Sequence, residues 1–183
     1  MELIHFGIQV KYRNLFKLIV LGLLGFTGAG IILLITSRYG AGLTPDSAAY
    51  ISAARNLAEG NGFLTYNGLH LVVQPPLYSI ILAVIKKITL VDPQTSAGYL
   101  NAFLFGLIIY LSGLLLLRYL KSFVLILLGT VSVLISYALV QASLMALSEL
   151  LFIFLVLLFL YSFGTYQAKR DLFPSSFSPS RLH

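Results

Sequence analysis

The sequence predicts an all-α integral membrane protein, with four transmembrane helices and a long first outer loop carrying short juxtamembrane helices. Three observations predict this. Hydrophobic residues make up 58% of the 183 residues and charged residues only 10%, against about 25% charged in soluble domains. Mean hydropathy is +0.94. The few charges stand between long uncharged runs instead of inside them.

The same composition excludes several function classes. The net charge is +6, but the basic residues punctuate apolar runs and form no patch, so nucleic acid is not an expected partner. There is no cysteine, hence no disulfide framework and no thiolate chemistry. Trp is absent, which leaves eleven Tyr and thirteen Phe as interfacial anchors.

The first span is expected at 18–37, an uncharged run between Lys17 and Arg38. Such a run covers a bilayer core of about 30 Å. Lys11, Arg13 and Lys17 precede it and place the N-terminus in the cytoplasm. The apolar run continues past Gly28-Ala29-Gly30, its one cleavage-like stretch, which argues against a cleaved signal peptide. Gly22, Gly25 and Gly28 read as a close helix-packing ridge. No strand precedes them, so they make no nucleotide loop.

The outer loop, 38–94, is the polar part of the chain. Thr44 caps a helix, Pro45 fits its first position and Asp46 lies in its first turn. The helix stops at Gly60, and Asn61-Gly62 is a turn. Asp46, Tyr50, Ala53 and Leu57 share one face, and Arg55 and Glu59, four apart, are expected to pair. Gln74-Pro75-Pro76 opens a second helix. Only 75–85 precede the Lys86-Lys87 pair, which is short for a span and suits a helix lying along the interface.

Three further spans follow at 95–117, 122–142 and 150–168, each inside an uncharged run. With this layout Lys11, Arg13, Lys17, Arg118, Lys121, Lys169 and Arg170 lie inside, while Arg38, Arg55, Lys86 and Lys87 lie outside. The positive-inside rule prefers that layout to one in which 75–91 also spans. Both termini are then cytoplasmic, in a multi-pass plasma (cell) membrane protein. Asp46, Glu59, Asp92 and Glu149 all face the same outer compartment. The Ser- and Pro-rich stretch 169–183 is expected to be a disordered tail.

Two acids are candidate catalytic residues. Asp46 reads either as a helix-dipole acid or as a carboxylate that handles an acceptor hydroxyl or a metal. Glu149, with Ser148 as a cap, reads as a helix N-terminal acid or as an ionisable group at the mouth of an apolar bundle. Lys86 and Lys87 are either snorkelling lysines or holders of a lipid phosphate. His70 stands alone, without a metal-ligand pattern. No span interior carries a charge, which argues against a small transporter.

In order, T-P-D46-S-A-A-Y, A-R55-N-L-A-E59-G-N-G-F, P75-P76-L77-Y78 and L-S148-E149-L-L-F resemble the N-terminal part of the GT-C glycosyltransferases. That superfamily includes the protein O-mannosyltransferases and the aminoarabinose transferases, and the likeness covers 14–168. It implies sugar transfer from a polyprenyl-phosphate-linked donor to an acceptor at the outer membrane face. Asp46 matches the first-loop acid, a general base or acceptor-positioning residue, and Glu149 the second-loop acid. A sugar phosphate already has a good leaving group, so the demand is to deprotonate and align the acceptor.

Arg55, Lys86, Lys87 and His70 complete the candidate substrate- and phosphate-binding set, since a cation near the departing phosphate helps. A divalent metal is not indicated by any residue pattern, so the cofactor stays open. The expected partners are the lipid-linked donor and membrane lipids. Aminoarabinose transferases carry an acidic and a basic residue before the double proline. Val73-Gln74 stand there in this chain, against that subfamily and its kind of metal site. The mannosyltransferases often have paired acids where this chain has Asp46-Ser47. Members of the superfamily have more spans than this chain provides, so it is expected to correspond to their N-terminal portion. The rival expectation is a non-catalytic multi-pass membrane protein, a remnant or an assembly subunit.

Overall fold

The computed structural model describes the backbone of residues 2–172 and the side chains of 15–167 and 170. Over these residues the chain forms seven helices and no sheet. They are α1 (Glu2–Tyr39), α2 (Pro45–Glu59), α3 (Pro76–Thr89), α4 (Pro93–Tyr119), α5 (Phe123–Leu134), α6 (Tyr137–Leu144) and α7 (Glu149–Leu172). Leu15–Tyr39 of α1, α4, and Glu149–Gln167 of α7 are long and apolar enough to cross a membrane.

The expected span 122–142 is not one straight helix. α5 and α6 are bent by 44°. Hydrogen bonding changes register at the bend. Ile135 N still donates to Val131 O, but Ser136 N donates to Val133 O, one residue nearer, and α6 restarts from the Ser136 carbonyl. Such a tightened turn interrupts the i to i−4 ladder and lets the axis turn. The last helix also runs beyond its expected end at 168, as far as Leu172. The rest of the expected tail lies outside the described residues.

α4 is the hub, touching every other helix. Its main partner is α1, and the two approach at glycines. A Cβ on Gly25 would fall 2.8 Å from Gly106 O, and one on Gly106 would fall 2.9 Å from Ala29 Cβ. Gly28 likewise faces Ile109 and Phe105 of α4. Small residues let backbones come this close where lipid supplies no hydrophobic drive between helices. Gly22 departs from the expected ridge, since a Cβ there would meet nothing within 4 Å.

The local signals in the outer loop take the expected form. Thr44 accepts a hydrogen bond from Ser47 N, and Gly60 ends α2 at φ 86°. α2 buries Ser47, Ala49, Tyr50, Ile51, Ala53 and Ala54. α3, 14 residues long, buries Tyr78, Ser79, Leu82 and Ala83 against α2 and α4. Leu64 pairs with His70 in a small antiparallel bridge.

Candidate active site

The start of the outer loop is tied directly to the turn before α7. Gly42 N donates to Leu144 O at 2.7 Å, and Ala146 N donates to Gly42 O at 3.1 Å. This parallel bridge brings Asp46, four residues after Gly42, and Glu149, four residues after Met145, to one end of the helix bundle. Side-chain bonds reinforce the joint. The Tyr50 and Ser148 hydroxyls lie 2.8 Å apart. Tyr78 OH donates to Asn101 Oδ1 at 3.0 Å, and the Asn101 amide donates to Ser143 O and Met145 O. Asn101 and Tyr78 are fully buried, so each of these bonds satisfies a group that water cannot reach.

Tyr50, on α2 with Asp46, is tied to Ser148, the neighbour of Glu149. Burial pushes its hydroxyl above the usual tyrosine range, the Ser148 hydrogen bond opposes this, and the charges of Glu149 and Asp46 push it up further. Tyr50 also packs edge-on against Tyr78, with ring centroids 5.5 Å apart. Burial likewise raises the Tyr78 hydroxyl, against the pull of its Asn101 bond. The Ser148 hydroxyl, read as a candidate cap for α7, is bonded to Tyr50.

Asp46 is exposed at the mouth of a groove of about 480 Å³ that also involves His70, Tyr66, Asn67, Thr65, Leu69, Val72, Val73 and Gln74. Gln74 Nε2 donates to Asp46 Oδ1 at 3.0 Å, so the residue before the double proline reaches the candidate base. His70, which has no partner pattern in the sequence, lies in the same groove as Asp46. The missed signal is the turn around Asn67, where Thr65 N donates to Leu69 O at 2.8 Å and folds His70 back. Glu149 is also exposed, but it is not among the groove's lining residues.

The remaining candidates are placed differently. Arg55 does not pair with Glu59 as expected. Its Nε and Nη2 donate to both Asp92 oxygens at 2.9 and 2.8 Å, a two-pronged match to the planar guanidinium. The Arg55 bond holds the Asp92 carboxyl below the usual carboxylate range. Glu59 instead receives Lys86 Nζ at 2.6 Å. Lys87 is exposed and makes no ion pair among the described residues. Among the described residues no group of three or more His, Asp or Glu is placed to hold a metal ion. The sequence matches no family model, and comparisons with curated proteins and with solved structures found no match.

Proposed function

We propose that this chain is a membrane glycosyltransferase, or the N-terminal part of one, that transfers a sugar from a polyprenyl-phosphate donor to an acceptor at the outer membrane face. The observation that carries this reading is the joint between the outer loop and the turn before α7, the Gly42–Met145 bridge and the Tyr50–Ser148 hydrogen bond, which puts Asp46 and Glu149, two acids without ion pairs among the described residues, at one end of the bundle. In this reading α5 and α6 together make a fourth, broken span, and the acid-bearing end is extracytoplasmic. Lys17, Arg118 and Lys121 lie at the opposite, cytoplasmic end, as positive residues do. Lys17 sits over the Phe123 ring at the start of α5, and the Arg118 guanidinium bonds to Gly164 O and Thr165 Oγ1 of α7.

Asp46 takes the proton of an acceptor hydroxyl. The hydroxyl oxygen bonds to the anomeric carbon as the bond to phosphate breaks, and the lipid phosphate leaves with the electron pair. Gln74 holds one Asp46 oxygen and leaves the other for the acceptor. Glu149, next to Ser148 at the start of α7, is the second acid of the site. Arg55 and Lys86 are neutralised by Asp92 and Glu59, and Lys87 does not line the groove, so His70, which does, is the better placed of the candidates to hydrogen-bond the departing phosphate.

The second reading, a non-catalytic multi-pass protein, draws on one observation: the groove at Asp46 does not include Glu149. Cells lacking the protein, complemented with wild type or Asp46→Asn, separate the two. Loss of an envelope glycan in the deletion and in Asp46→Asn, with rescue by wild type, supports transfer. Unchanged glycans in the deletion refute it.

A further inference from the structure

We propose that the segment Tyr66–Val73 and the outer face of α3 dock into an anionic lipid leaflet at the headgroup–acyl boundary, so that the Asp46 groove opens at headgroup level. Exposure is the starting point. Tyr66 is 70% exposed, Leu69 65%, Val72 82% and Val73 85%. All four line the groove that holds Asp46 and His70. A contiguous apolar cluster in contact with a polar floor marks a place where something binds.

The apolar surface continues along the chain. After Pro75 the chain enters α3, whose inner face is buried. Leu77, Ile80, Val84 and Ile88 are exposed, and their spacing of three and four puts them on one stripe. At 14 residues the helix is about 21 Å long, too short to cross a bilayer core of about 30 Å.

Charge decides in favour of lipid over a protein partner. Residues 66–91 contain no Asp or Glu, and Lys86-Lys87 lie near the end of α3. Lys86 is paired with Glu59, whereas Lys87 is exposed without an ion pair among the described residues. An apolar stripe flanked by lysines is the make-up of a helix lying in an anionic interface, with its apolar face about 5–10 Å into the boundary. The bilayer is also the neighbour at hand. The loop joins the membrane-length α1 at one end and the membrane-length α4 at the other. The docking stands without the glycosyl-transfer reading. Only its consequence, a substrate that enters the groove from the lipid side, rests on that reading.

The chain has no Trp, so a single introduced Trp is the sole indole signal. The full chain carrying Val73→Trp, Val84→Trp or Asn61→Trp is reconstituted into vesicles of phosphatidylcholine and phosphatidylglycerol. Emission is read with and without lipids brominated near the top of the acyl chains. The expected result is blue-shifted, bromine-quenched emission for Val73→Trp and Val84→Trp. Asn61→Trp, in the exposed turn after α2, keeps water-like emission without quenching. Leaving out phosphatidylglycerol reduces the quenching at 73. Water-like, unquenched emission from Val73→Trp overturns the proposal. So does blue-shifted emission that brominated lipid leaves unquenched, which means that a second copy or another protein covers the loop. If Val73→Trp does not fold, Val72→Trp gives the same reading. None of these signals needs sugar transfer, so a failure here is distinct from a failure of Asp46→Asn.

Discussion

Two corners at the same end of the bundle hold two acids each, and they treat them in opposite ways. On the flank formed by α2, α3 and the start of α4, Asp92 is clamped by Arg55 and Glu59 is held by Lys86. At the corner formed by the start of α2 and the turn before α7, Asp46 and Glu149 have no ion pair among the described residues. The flank's acids join three helices together. The corner's acids stand exposed at the starts of α2 and α7.

The largest effect should separate the corners outright. Asp46→Asn and Glu149→Gln are each expected to lower sugar transfer by about 10²- to 10⁴-fold. Asp92→Asn and Glu59→Gln should leave it nearly unchanged. Transfer rates in membrane vesicles check this, and equal losses in all variants would erase the distinction.

Next in size are changes to what brings the free corner together. Gly106→Leu would force α1 and α4 apart where Gly25 O would lie 2.9 Å from a Cβ. It should cost about 1–3 kcal/mol, read as a lower unfolding midpoint in detergent. Asn101→Leu removes the partner of the buried Tyr78 hydroxyl and of the Ser143 and Met145 carbonyls. Its cost should also be about 1–3 kcal/mol. Adding Tyr78→Phe to Asn101→Leu should recover part of that cost, because no orphaned hydroxyl remains.

The smallest effect belongs to the paired flank. The side chains of Arg55 and Asp92 are 44% and 45% exposed, so Arg55→Gln should cost less than about 1 kcal/mol. Its signature is the pH dependence. Asp92 is held below the usual carboxylate range, so its contribution is present above the unfolded-state pKa and is lost as pH falls through the lower folded value. Arg55→Gln should flatten that acid-side loss. An unchanged acid limb would mean that the bond to Arg55 is not what lowers Asp92.

The two corners also differ in how far the sequence reveals them. Local signals were legible: the Thr44-Pro45 start of α2, its stop at Gly60, and the Pro75-Pro76 opening of α3. Each follows from capping and backbone rules that act within a few residues. Arg55's partner was not legible, because a local i,i+4 pairing competed with an acid 37 residues away. The 44° bend between α5 and α6 was hidden for another reason. Ile135-Ser136 contains neither Pro nor Gly, so nothing in the apolar run announces a break. Charge bookkeeping led to the expectation that Asp46 and Glu149 face one compartment. What ties their two segments together, the Gly42–Met145 bridge, depends on backbone groups that no side-chain pattern reveals.

The placing of Asp46 and Glu149 on one face of the membrane can be tested directly, because the chain has no cysteine. Single cysteines replace Asp46, Glu149 or Lys121 and are labelled with a membrane-impermeant maleimide in sealed, uniformly oriented vesicles. The account predicts that positions 46 and 149 react from the same side, and that 121 reacts only after the vesicles are opened. Labelling of 149 together with 121, and not with 46, would contradict it.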